Sequence, residues 1–195
     1  MVLHGSTTDG GSVPFLPLAL ADMPADLRQR LEPRVSRLGY LGGFFGHAAR
    51  QPRALAAFID FGDCLRTALP DRLAEIVALT VATSLDNTYE RNQHERLALT
   101  MGLDRQWLLQ VTALDPRAAS LLSETERAVQ ALVLRLLTSQ GHNVGNDVAG
   151  VTEAVGPEDT VAILLLTGRY VAHSLFCNAL SLTPPVSSVT PNRVR

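Results

Sequence analysis

The sequence predicts an all-α fold, a compact multi-helix domain, and three observations predict it. From about residue 20 to 182 apolar residues recur at helical spacing, Pro, Gly, Ser and Asp fall where helices should start and stop, and strand-type alternation is absent. A chain of 195 residues, 46% hydrophobic and 18% charged, has the balance of a soluble protein with one sizeable core. No Gly-x-Gly-x-x-Gly follows a strand pattern, so α/β nucleotide-binding folds are poor candidates.

In chain order, the spacing predicts a first helix from Pro24 to Leu38 and a short one from about Gly42 to Arg50. A third runs from Pro52 to Ala68, with Pro52 in the first turn, where a missing N–H costs nothing. Pro70 opens a fourth that reaches about Leu85; after an Asp86-Asn87 break, a fifth runs from Thr88 to Met101 and stops at Gly102. A short segment begins at Asp104 and includes Trp107. Ser123 with Glu126 three residues on is a capping-box pattern, and it opens a helix to about Ser139. Beyond the turn region from Gly141 to Asn146 come a helix near Asp147 to Val155 and a last one from Pro157 to Leu182.

The apolar runs Ile76 to Leu85 and Val161 to Gly168 are about half the ~20 residues of a membrane span, so they read as buried helices. Gly, Ser and Thr crowd residues 1–14, and Pro184, Pro185 and Pro191 punctuate residues 183–195. A flexible N-terminal arm and a flexible C-terminal tail are therefore expected around a single domain at 15–182. The N-terminus has no basic region leading into an apolar stretch of signal length, which makes the cytoplasm the expected location.

Seventeen basic against nineteen acidic side chains leave a formal charge of -2, with no broad footprint for nucleic acid or an anionic membrane. Every basic residue is Arg. The absence of Lys removes Schiff-base chemistry, lysine-anchored pyridoxal phosphate and the phosphate-cradling P-loop, and no cofactor is expected. Cys64 and Cys177 stand far apart with no neighbours at metal-ligand or Cys-x-x-Cys spacing, and read as small buried hydrophobes.

The informative stretch runs from Leu69 to Asp104. At about 100° per residue, Glu90, His94, Leu97, Ala98 and Met101 share one stripe of a helix, while Arg91, Asn92, Gln93, Glu95 and Arg96 take the rest of its circumference. Glu90 and His94 thus continue an apolar stripe although a polar face is available. A carboxylate one turn before an imidazole can orient the ring, raise its basicity or share its proton; a plain surface pair has the same spacing. Glu75 is the last charge before Ile76 to Leu85 and belongs either to this group or to an exposed first turn.

The order Glu75, twelve residues to Asn87, three to Glu90 and four to His94 resembles the carboxymuconolactone decarboxylase and alkylhydroperoxidase D superfamily. In the peroxidase branch a Cys-x-x-Cys pair stands where this chain has Asn87 and Glu90. An amide and a carboxylate form neither a disulfide nor a sulfenic acid, so a peroxidase working through that motif is excluded. Tyr89-Glu90-Arg91-Asn92-Gln93-His94 is similar to the cysteine-free, decarboxylase-like branch, with Arg91 departing from its tryptophan. The likeness spans about residues 40–182, including the lead-in from Gly43 and the Asn178 to Leu180 ending.

What the resemblance implies is a cofactor-independent acid/base enzyme, a decarboxylase or lyase/isomerase, acting on a small carboxylated, lactone or enolisable substrate. His94 would shuttle the proton, with Glu90 as its partner and Glu75 completing the relay. Asn87 and Tyr89 within the motif, together with Arg72, Arg169 and His173, are the candidates for substrate binding; with no Lys, any anion clamp must be Arg, and Arg91 is a further candidate. His173 stands one turn from Arg169 and from Cys177, where a satisfied core histidine is the commoner explanation. His47 follows two packing aromatics, and His4 and His142 sit in Gly-rich, solvated segments. Glu75, Glu90 and His94 have metal-binding atoms but no second histidine at close spacing, and no metal is expected. The resemblance also implies a homo-oligomer, a trimer or hexamer. The rival reading is a non-catalytic helical oligomer that binds a ligand or partner after losing the dithiol.

Overall fold

In the computed structural model residues 14–190 are described, and among them the regular structure is helical throughout, with no strand. After a single 3-10 turn at Leu20–Asp22 come α1 (Ala25–Leu38), α2 (Gly43–Ala48), α3 (Pro52–Ala68), α4 (Asp71–Ser84), α5 (Thr88–Thr100), α6 (Arg105–Ala113), α7 (Glu124–Ser139), α8 (Gly145–Val155) and α9 (Pro157–Ala179). His4 and, apart from Pro14, the expected N-terminal arm lie outside the described residues.

Most helix ends have the local cause that the sequence suggests. Gly39 closes α1 in the left-handed conformation, Pro52 opens α3, and Asp104 caps α6 by accepting the Trp107 N–H at 2.7 Å. The Ser123–Glu126 capping box is complete, with the Ser123 hydroxyl taking the Glu126 N–H and the Glu126 carboxylate taking the Ser123 N–H. α9 ends at Ala179, three residues short of the expected Leu182.

α4 is the central rod. Every residue from Leu73 to Thr83 is buried, because α5, α6, α7 and α9 pack around it. The apolar core falls into two clusters. One is built on α4 with α6 to α9; the other joins α1 to α3 with Tyr89 and Cys177. A tight turn at Asp86, which takes a positive φ of 53°, folds α5 back along α4 and sets residues 75 and 94 opposite each other.

Two expectations are corrected. Residues 183–190 form a strap laid over α5 rather than a loose tail, and the Val161 to Gly168 run is only half buried, with Val161 54% and Leu165 46% exposed. α9 has the length and apolarity of a membrane span, but half of its most apolar window is inside the protein.

Candidate active site at the junction of the two cores

Where the two clusters meet, a cavity of about 520 Å³ is lined by residues of α1, α2, α3, α5 and α9. His94 and Glu90 reach it from α5, Arg169, Tyr170 and His173 from α9, and Arg66 from α3. Two consecutive turns of α5 thus deliver a carboxylate and an imidazole to one opening, as the stripe on the helix requires.

His94 is clamped from both sides. Its Nδ1 lies 2.7 Å from Glu75 Oε2, and its Nε2 lies 3.4 Å from Glu90 Oε1. Glu75 is fully buried on α4 and is fixed in turn by Arg66, whose Nη1 donates to its other oxygen at 3.0 Å. Glu90 continues the chain: Arg169 Nη1 donates to Oε1 at 3.4 Å, and His173 Nε2 lies 3.6 Å from Oε2. The sequence Arg66–Glu75–His94–Glu90–His173 is therefore one connected line of charged and titratable groups.

The protonation states follow from opposing forces. Burial works against charge on His94, but Glu75 above all outweighs it and lifts the imidazole well above its ordinary value. Burial likewise pushes both carboxyls up; His94 and Arg66 nevertheless hold Glu75 below the usual range, and His173, in the acid range where it is itself protonated, does so for Glu90 together with His94 and Arg169. His173 differs because its burial prevails over Glu90 and, with Arg169 and His94 beside it, drops it to about 4. At neutral pH the line holds an imidazolium between two carboxylates, with a neutral histidine at its end. Among the described residues no group of three His, Cys, Asp or Glu is arranged to hold a metal ion.

The surroundings hold these groups in place. The Asn87 side chain caps α5 by accepting the Glu90 N–H at 3.1 Å, while its amide donates to Ser174 Oγ at 3.1 Å and lies 3.5 Å from His173 Nδ1. Asn87 thus positions Glu90 and His173 from behind and is not itself part of the cavity lining. Tyr89 lines the cavity, and its hydroxyl accepts the Phe44 N–H at 3.2 Å. That hydroxyl is 2.6 Å from where a Cβ on Gly42 would stand, so this approach needs glycine. The Arg169 guanidinium lies between the Phe58 and Tyr170 rings, 4.7 and 4.6 Å from their centres, and rests on Gly62.

Among the expected binding residues, Arg72 lies elsewhere. It sits in the first turn of α4, where Nε donates to Glu126 at 2.6 Å and the guanidinium covers Trp107, away from the cavity. Arg91 faces Glu95 at 3.4 Å, on the side of α5 turned from the cavity. Sequence reasoning missed Arg66, as well as Arg34 and Arg37 at the cavity wall. Cys64 is exposed rather than buried; Cys177 is buried 3.5 Å from His173 Nδ1, and burial pushes its thiol up, away from thiolate chemistry.

A helical domain with a line of charged groups across facing helices is the class these features define, and its fold is alkylhydroperoxidase D-like. Among solved structures, a peroxidase-related alkylhydroperoxidase AhpD core protein from Ralstonia eutropha is similar with a TM-score of 0.77 and 19% identity, over 87% of this chain and 90% of that one. The debrominase Bmp8 in complex with 2,3,4-tribromopyrrole is similar with a TM-score of 0.74 and 17% identity, over 86% and 89%. A protein of unknown function from Agrobacterium tumefaciens has a TM-score of 0.63 at 17% identity, over 72% and 96%. No family model and no curated protein sequence matches the chain. At such identities the likeness establishes the fold.

Proposed function

We propose that the cavity is the active site of a cofactor-independent acid/base enzyme, of decarboxylase or lyase/isomerase type, working in the cysteine-free manner that the Asn87-x-x-Glu90 sequence suggests. The observation that carries the reading is His94 held between Glu75 and Glu90 at the wall of a cavity sized for a small molecule. A buried imidazolium with a carboxylate on each nitrogen is an acid with a defined direction for its proton. A neighbour of the same fold is a debrominase solved with a small ring compound, which fits an enzymatic use of this architecture.

The substrate class is a small carboxylated, lactone or otherwise enolisable compound. In decarboxylation the electron pair of the breaking C–C bond stays on the substrate as an enolate, carbon dioxide leaves, and the carbon takes the proton of His94. In isomerisation the Glu90 carboxylate removes a proton from one carbon, and the Glu90–His94 pair returns it to another. His94 and Arg169 supply the positive charge that an enolate needs; Glu75 touches no substrate and orients His94.

The test is proton nuclear magnetic resonance in deuterated water with a panel of small lactones and keto acids, on wild type and His94→Gln. Loss of substrate, or deuterium uptake at the enolisable carbon, is expected with wild type and is lost with the variant. Equal rates would remove His94 from the reaction. Binding of a panel member with neither exchange nor turnover would favour the non-catalytic reading.

A further inference from the structure

Beside the charged cavity lies a second one, of about 460 Å³, where α2, α3 and α9 meet the segment ahead of the 3-10 turn. Four rings, Phe15, Phe44, Phe58 and Phe176, make its walls together with aliphatic side chains. Phe44 packs on Phe58 with 5.7 Å between ring centres and edge-on to Phe176 at 5.2 Å, which fixes this corner. The Phe44 ring also lies 4.1 Å from that of His173, and Phe44 is the one lining residue that the two cavities share. His94, Glu90 and Arg169 do not reach the second cavity.

One polar side chain in this wall is buried. His47 is 7% exposed, and its Nδ1 lies 2.8 Å from the Gly43 carbonyl of its own helix. A carbonyl only accepts, so the proton sits on Nδ1, and in the neutral ring Nε2 is a bare acceptor. Among the described residues no group donates to Nε2, and the atom is not sealed in the core, so its lone pair opens on the cavity that His47 lines. Arg50 and Gln51 stand exposed at the edge. Arg50 is already engaged: Nε and Nη2 both donate to the Leu16 carbonyl, at 3.1 and 2.9 Å, and the guanidinium lies 5.9 Å from the Phe15 ring centre. These contacts hold Phe15 edge-on to His47, 5.8 Å between ring centres, as the outer wall.

We infer that this cavity is a second ligand site, taking a small phenol whose ring packs among the four phenylalanines and whose hydroxyl donates to His47 Nε2. Each observation narrows the class. The volume suits a small molecule, and an apolar box with one precisely placed polar group is the usual design of such a site. Four rings favour an aromatic occupant, which offers them both a face and an edge. A buried acceptor wants a donor, which a hydrocarbon lacks, as an ionised carboxylate does too. With Arg50 tied to Leu16, no free cation calls for an anion. The site stands whether or not the charged cavity is catalytic, because its ligand needs no proton transfer and meets none of that cavity's charged groups.

The experiment is isothermal titration calorimetry of the full chain with 4-ethylphenol, 4-ethylanisole and 4-ethylbenzoate at about pH 8, where a phenol keeps its proton. Wild type is expected to bind 4-ethylphenol at one site per chain, about 10-fold more tightly than either of the others, the worth of one hydrogen bond. His47→Leu keeps the apolar box and should bring phenol and anisole within about 2-fold of each other. Carbon-13 labelling of the histidines locates the ligand: the His47 resonance should move on titration with 4-ethylphenol, and that of His94 should not. No saturable binding by wild type overturns the inference, as does equal or tighter binding of the anisole or the benzoate. A shift at His94 in place of His47 overturns it too, because the phenol would then occupy the charged cavity. The preference of wild type for phenol over anisole decides the matter even if His47→Leu does not fold.

Discussion

Glu75 and Glu90 treat His94 differently, and the difference predicts separate phenotypes. Glu75 makes the short contact from the core side and does not line the cavity, whereas Glu90 makes the longer one and does. Glu75→Gln should therefore lower kcat with KM nearly unchanged and shift the basic limb of the pH–rate profile downward, because His94 loses the main support of its charged form. His94→Gln should cost about 10²–10⁴ in rate, the usual worth of a positioned acid/base group. The two histidines also shape stability. His94 is raised above 6.5, so the stability it contributes is full below pH 6.5 and is lost as pH rises through its folded value. His173 is lowered to about 4, so the unfolded chain takes up its proton first and stability falls as pH drops from 6.5 toward 4. Urea midpoints should accordingly peak near pH 6.5, with the alkaline limb flattened in His94→Gln and the acid limb in His173→Gln. A midpoint that stays flat between pH 5 and 8 in wild type would contradict both assignments. At this scale the sequence exposes Glu75, Glu90 and His94 through one helix stripe and one lead-in. Arg66 is hidden because its value to Glu75 comes from α3 docking beside α4, which no spacing within one helix can show.

α5 shows where a helical wheel succeeds and where it stops. It correctly turns Glu90 and His94 inward, yet it leaves Arg91, Asn92 and Glu95 to solvent, and all three are buried. The cause is the strap. Glu95, with no exposed surface, accepts from the Ser188 and Thr190 hydroxyls, each at 2.6 Å, and from the Val189 N–H at 2.8 Å; Asn92 and Arg96 donate to the Val186 and Ser187 carbonyls. The strap at 183–190, with Pro184 and Pro185 and no charge of its own, gives no sign in sequence that a carboxylate will hold it. Glu95→Ala strands those donors and should cost about 3 kcal/mol. Deleting residues 184–195 strands the carboxylate instead and should cost a similar amount. Combined, the two should destabilise by clearly less than their sum, as thermal or urea unfolding of the three variants will show; full additivity would mean that Glu95 and the strap act separately.

The whole molecule sets its cavity between two apolar clusters, and the helices that wall this cavity on one side, α3 and α9, turn their other sides outward as an uncharged face, with Phe61 and Cys64 on α3 and Val161, Leu165 and Leu175 on α9. The periodicity of eight helices and of a short segment at Asp104 was readable in the sequence, but the division of the one expected core into two clusters was not, and neither was the outward face: Val161 to Gly168 is equally apolar whether it is covered by the chain's own helices or by a second copy. If a second copy covers it, unfolding and dissociation are one equilibrium, and stability depends on concentration. Each tenfold dilution then removes about 1.4 kcal/mol per dimer, which for a cooperative unit of two such chains lowers Tm by about 2 °C. Scanning calorimetry over two decades of concentration should show that slope in wild type and none in Leu165→Glu, whose Tm should match the extrapolated monomer. A wild-type Tm independent of concentration would mean that the face does not join two copies in the folded state, since an equilibrium coupled to association cannot escape mass action.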